Sequence, residues 1–129
     1  MEIDSELLKL LMEIGFLAGD KGRLPEAQII FEGVSKARPN SAYPYIGTAY
    51  VAMNKSEFEK AIAILRNAPH QDSKEKEISH GFLGMALKFA GYNEEAQRVL
   101  SDIKENGIDE IAINMASVLL EKDLSAMIK

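Results

Sequence analysis

The chain has 129 residues, no cysteine and a net charge of −5. An apolar content of 47 % with charge spread along the chain excludes a disordered segment, and the lack of cysteine excludes disulfides and cysteine-based metal sites. The acidic balance argues against nucleic acid or an anionic membrane as partner. There is no basic stretch followed by an apolar core at the start and no apolar run long enough to span a bilayer, so a cytoplasmic protein is expected.

Seven helices and no strands are expected. The first spans about 4–19, with Asp4 as N-cap and Glu6 in its first turn. A break at Gly19–Gly22 leads to a helix from Pro25 to about Ala37, ended by Arg38-Pro39-Asn40. Ser41 opens the third helix, with Pro44 in its first turn, and Met53–Lys55 closes it. Ser56-Glu57-Phe58-Glu59 reads as a capping box for a helix from about Glu57 to Asn67. After a linker at Pro69–Ser73, the fifth helix runs from about Lys74 to Ala90 and stops at Gly91. Asn93 is expected to cap the sixth, which ends before Gly107, and Asp109 the last, which runs to about Glu121.

Three alanines recur through this pattern: Ala27, Ala61 and Ala96, 34 and 35 residues apart. Each follows a turn residue (Gly22, Asn54, Gly91) and precedes a large apolar residue by four (Phe31, Leu65, Leu100). That period and pattern resemble a tetratricopeptide (TPR) array. First helices offer Ile14-Gly15, Ile46-Gly47 and Leu83-Gly84, where a small residue lets a neighbour approach. The resemblance implies a single domain over 1–129, a right-handed superhelix of three helix-turn-helix repeats (about 5–40, 41–72 and 73–107) plus a C-terminal helix at 109–121. The Gly-to-Ala interval is 12 in repeats one and three but 14 in repeat two, so two extra residues are expected in the turn around Asn54–Ser56.

In such an array the first helices line the concave face. Placement on the repeat puts Met12, Phe16, Thr48, Val51, Ala52, Met85, Lys88 and Phe89 there. An apolar, methionine-containing groove suits the nonpolar face of a partner helix, and Lys9 and Lys88 are too few for a carboxylate clamp. The bland alternative is that Phe16 and Phe89 simply pack a closed array. The first helix (Leu7, Leu8, Leu10, Leu11, Met12, Ile14, Phe16, Leu17) and the last (Ile111, Ala112, Ile113, Met115, Ala116, Val118, Leu119, Leu120) are apolar around most of their circumference. Either they cover themselves in a compact superhelix, or a partner chain or a second copy covers them.

Catalytic chemistry is not assembled. His70 and His80 have no companion ligands, so His70 is expected to be solvated and His80 packed or half-exposed. Glu94-Glu95 and Glu75/Glu77 sit at helix starts, where the helix dipole explains them, and Lys74–Glu77 reads as a solvated mixed-charge face. Gly19-Asp20-Lys21-Gly22 lacks the spacing of a phosphate loop. No enzyme, cofactor or metal is expected.

Tyr45-Ile46-Gly47-Thr48-Ala49-Tyr50 and Phe82-Leu83-Gly84-Met85-Ala86-Leu87 resemble first-helix motifs of the small TPR chaperones of bacterial type III secretion systems, and Gly22-Arg23-Leu24-Pro25-Glu26-Ala27 and Gly91-Tyr92-Asn93-Glu94-Glu95-Ala96 resemble their inter-helix turns. The likeness covers about residues 5–121. The short length favours the needle-subunit chaperones over the translocator chaperones, which carry a longer N-terminal extension. The resemblance implies a chaperone that holds an apolar client helix in its groove until secretion, in some cases beside a small helical co-chaperone. A generic TPR scaffold bridging folded proteins is the alternative.

Overall fold

A computed structural model describes residues 3–121 and contains seven helices and no strand among them: α1 Ser5–Asp20, α2 Leu24–Ala37, α3 Tyr43–Asn54, α4 Phe58–Arg66, α5 Ser73–Ala90, α6 Asn93–Asn106 and α7 Glu110–Glu121. The fold is all-α, as expected. Each helix packs on its chain neighbours, and the odd-numbered helices also pack on one another in the order α1, α3, α5, α7. The even-numbered helices therefore form a second layer, each one wedged between two odd ones. Short links make successive helices antiparallel.

Two caps behave as expected. Asp4 accepts a hydrogen bond from the Leu7 N–H at 2.8 Å, and Asp109 from the Ala112 N–H at 2.9 Å. Gly91 closes α5 in the left-handed region at φ 91°. Two expected caps are replaced. Ser56 makes no capping box; it lies in the middle of the α3–α4 turn at φ 61°, and Glu57 is the N-cap, without a side-chain bond. Asn93 is the first residue of α6, whose N-cap is Tyr92.

The expected two-residue insertion is also absent from the turn. Lys55-Ser56-Glu57 matches Lys21-Gly22-Arg23 in length and in backbone shape, with flanking φ,ψ of −92°,6° and −92°,64° against −89°,8° and −88°,62°. Ser56 thus stands where Gly22 (φ 77°) stands one repeat earlier, and Asn54 is instead the last residue of α3. The turns and the alanines keep one period, so the repeat partner of Gly15 and Gly84 is Ala49, 34 residues beyond Gly15 and 35 before Gly84. Gly47 lies outside that register and has a separate task.

That task is visible at Phe31, which is fully buried between α1 and α3. A Cβ at Gly15 would come within 2.5 Å of the Phe31 ring, and one at Gly47 within 2.3 Å. Two glycines on different helices therefore hold the ring from both sides. In the third repeat a Cβ at Gly84 would meet Leu100 at 2.5 Å. The core forms two clusters. One is built on Leu8, Met12, Ala27, Phe31, Val34 and Val51; the other joins α3 to α7 through Ile46, Leu65, Leu87, Leu100 and Ala116.

The first turns of α5 fasten more than their own helix. Glu75 is only 4 % exposed, so the stretch 74–77 is not a wholly solvated face. Its carboxylate accepts from the Ala42 N–H at 2.7 Å, the Ser41 hydroxyl at 3.0 Å and the Gln71 N–H at 3.1 Å. Ser41, fully buried, in turn accepts from the Tyr43 N–H. Glu77 accepts from the Ile108 and Asp109 N–H groups at 2.7 and 3.0 Å. These carboxylates satisfy orphan donors at the starts of α3 and α7, a more specific role than a favourable dipole in their own helix.

Candidate functional site

The odd helices bring one side chain per repeat to a common line. Phe16, Tyr50 and Met85 share a repeat position, by steps of 34 and 35 residues, and all three are half-buried. Phe16 is the centre of an aromatic group. Its ring lies edge-on to Tyr50 at 4.9 Å and to Phe31 at 5.4 Å, and stacks on Phe82 of α5 at 5.9 Å and 22°. Rings from α1 and α5 thus meet across α3. Edge-on and offset pairs of this kind each contribute about 0.5–1.5 kcal/mol beyond simple burial.

The eight residues placed in the groove from sequence divide. Phe16, Met85, Lys88, Phe89 and Thr48 are half-buried and reach the surface. Met12, Val51 and Ala52 are 6 %, 3 % and 3 % exposed and belong to the core, where they offer no binding surface. The Thr48 hydroxyl is engaged by its own helix, donating to the Pro44 carbonyl at 2.9 Å. Phe89 stacks on Phe58 of α4 at 5.7 Å and 12°, away from the Phe16 group. The α3 assignments slip because they follow Gly47 in place of Ala49; counting 34 from Phe16 leads directly to Tyr50. Tyr50 and Phe82 are the line residues that the motif reading passed over.

Polar groups at the margin are already engaged. The Lys88 ammonium donates to the Leu119 carbonyl near the end of α7, which leaves it poorly placed as a carboxylate clamp. The Tyr50 hydroxyl donates to Asp20. Burial raises the Tyr50 phenol above its ordinary value, the Asp20 hydrogen bond and charge raise it further, and Asn54 opposes them. Tyr43 is raised as well, first by burial and then by the charges of Glu75, Asp72 and Asp109. Both phenols therefore stay neutral donors at ordinary pH.

His70 is exposed and His80 half-buried, as expected. Their rings meet edge to face at 6.0 Å. Burial holds the His80 imidazole below its ordinary value, with Lys76 and His70 acting in the same sense and Asp102 against them. Among the described residues, no group of three or more His, Cys, Asp or Glu side chains is placed to hold a metal ion. No helix among them is long and apolar enough to cross a membrane. What the line can do chemically is bury the apolar face of another chain. Set against family models, curated proteins and solved structures, the sequence matches none of them.

Proposed function

We propose that this chain is a TPR-like right-handed superhelix of three repeats plus a closing helix, and that it acts as a non-enzymatic, cytoplasmic protein-binding chaperone. It holds the apolar face of a client helix against the line of odd helices and keeps a self-assembling client monomeric. The observation that carries this reading is the run of half-buried apolar side chains, Phe16, Tyr50, Phe82 and Met85, on three successive odd helices. A client helix laid on that run gains roughly 25 cal/mol for each Å² of apolar surface covered, less the cost of ordering. The likeness of the first-helix motifs to those of type III secretion chaperones points to a needle subunit or a related secreted protein as the client.

The test is co-expression with the products of whatever small open reading frames neighbour its gene, followed by sedimentation of a captured client with and without the chain. A client that polymerises alone but stays in a 1:1 complex with the chain, and is released by Phe82→Asp with Met85→Asp, supports the proposal. Binding left intact by those replacements refutes the site. The ring stack between Phe16 and Phe82 favours a second reading, in which the line is internal packing and the chain is a generic TPR scaffold. A partner that is stably folded and monomeric without this chain would select that reading; a client that aggregates alone and is a translocator protein would instead select the translocator-class chaperone.

A further inference from the structure

The two hydrophobic clusters divide the array after its first repeat. Leu8, Met12, Ala27, Phe31, Val34 and Val51 belong to one, and the buried apolar residues of α4 to α7 to the other. Phe16 and Tyr43 are the half-buried residues packed against both. Tyr43 opens α3, which lies between the clusters. Phe16 reaches further. Helix α1 packs on α2 and α3, and α5 on α3, α4, α6 and α7, yet the Phe16 ring lies on Phe82 of α5. Among the described residues this is the one ring contact between the first and third repeats, and neither ion pair spans that gap.

The repeat register marks the stack as an addition to the array. At the position of Phe82, α1 carries Glu13 and α3 carries Gly47. Glu13 is exposed, and Gly47 has no side chain. Contacts that hold neighbouring repeats together recur at each step of a stacked array. This ring does not recur, and it joins helices two steps apart.

Glu75 supplies a pivot. Its carboxylate fastens the first turn of α5 to the start of α3 through the Ser41 hydroxyl and the Ala42 N–H. Phe82 lies about 10 Å further along α5 by helical rise. The curvature of a stacked array is the sum of small rotations between neighbours. A contact at that distance from the anchor therefore sets how far α5 can swing from α1. The same contact covers part of the client line, because Phe16 and Phe82 turn their ring faces to each other at 22°.

We propose that the Phe16–Phe82 stack is an autoinhibitory latch. Closed, it holds the first repeat against the third and covers the ring faces of the line; a client helix enters by parting it. The latch regulates the site of the proposed function and rests on that reading. A stacked ring pair shifts an equilibrium by roughly two- to tenfold, and the apparent affinity falls with the fraction of chain that is open.

The full chain has no cysteine, so Lys36→Cys on α2 and Arg98→Cys on α6, both exposed, accept a pair of spin labels whose separation is read by pulsed electron paramagnetic resonance. Phe16→Leu and Phe82→Leu keep apolar bulk and lose the stack, and each is expected to lengthen and broaden that separation. Phe58→Leu, which removes the stack on Phe89 between α4 and α5, should leave it unchanged. The binding probe is a fluorescent amphipathic peptide of about 18 residues, five helical turns, with a leucine face and a glutamine face. It should bind Phe16→Leu roughly two- to tenfold more tightly than the unaltered chain, and lengthen the label separation of the unaltered chain. Circular dichroism checks the fold, and if one leucine variant unfolds the other carries the test. An unchanged separation in the leucine variants, with peptide binding abolished by Met85→Asp, would overturn the latch and leave the client line standing. A longer separation in those variants, with peptide binding indifferent to Met85→Asp, would keep the latch and refute the client line. Peptide bound no more tightly by Phe16→Leu than by the unaltered chain would overturn the autoinhibition.

Discussion

Replacing Gly47 by alanine opposes two effects of known sign. In a helix interior alanine is favoured over glycine by about 1 kcal/mol, so propensity alone predicts a more stable protein. The structure predicts the reverse. The new Cβ would lie 2.3, 2.4 and 2.5 Å from Cδ1, Cγ and Cε1 of Phe31, and the ring cannot retreat because Gly15 already meets it from the other side. Overpacking of a closed core costs about 1–3 kcal/mol, and a ring held on two sides belongs at the upper end. The net expectation for Gly47→Ala is a loss of about 2 kcal/mol, or roughly 8 °C in Tm for a chain of this size. Gly33→Ala is the control: a Cβ there meets nothing within 4 Å, so it should gain about 0.5–1 kcal/mol. Urea unfolding followed by circular dichroism measures both. Phe31→Leu in the Gly47→Ala background should recover part of the loss by removing ring atoms. If Gly47→Ala is as stable as the unaltered chain, the two-sided clamp is wrong.

Three further predictions follow from single residues. Glu75→Ala strips three donors of a buried carboxylate and should cost about 2–4 kcal/mol in urea unfolding, whereas the exposed Glu32→Ala should change stability by less than about 0.5 kcal/mol. Ser56→Gly relieves a left-handed conformation at φ 61° and should stabilise by about 0.5–1 kcal/mol; a loss in Tm would contradict the match with the Gly22 turn. His80 is held below its ordinary value of 6.5, so the folded state binds its proton more weakly than the unfolded chain does. Its contribution to stability is present above pH 6.5 and is lost as the pH falls below that value. His80→Gln should therefore lose less stability than the unaltered chain between pH 7.5 and pH 5, and an equal loss would exclude that role for His80.

The seven helices were legible because their stops are chemical. Asp4, Pro39, Gly91 and Asp109 each end or begin a helix through a local interaction that needs no knowledge of the rest of the chain. The register of the second repeat was not, because two small residues compete there. Gly47 looks like the repeat glycine, yet Ala49 holds that position, and the glycine is needed for a ring that belongs to the previous repeat. Only a contact 16 residues back along the chain, Phe31 against Gly47, separates the two, and single-sequence periodicity does not contain it. The same two-residue slip displaced the candidate line on α3 from Tyr50 to Thr48. Glu75 was misread for a related reason: a Lys-Glu-Lys-Glu run looks solvated until the start of α3, more than 30 residues earlier, is seen to need an acceptor.

Whether the aromatic line binds a client or merely closes the array turns on Phe82. Among the described residues its one ring partner is Phe16, and it is half-buried, whereas Phe31 is fully buried. As a packing residue of the core, Phe31 should cost about 3–5 kcal/mol when cut to alanine. Phe82 keeps part of its ring at the surface, unlike Phe31, so Phe82→Ala should cost about 1–2 kcal/mol. A client helix bound at micromolar affinity holds about 8 kcal/mol, several times the energy of the Phe16–Phe82 stack, so a client can part those rings or lie across them. If the line is a binding surface, Phe82→Ala weakens client binding at least tenfold while the chain stays folded and loses less than about 2 kcal/mol in urea unfolding. A loss as large as that of Phe31→Ala, with client affinity unchanged, would place Phe82 in the core and refute the line as a binding surface.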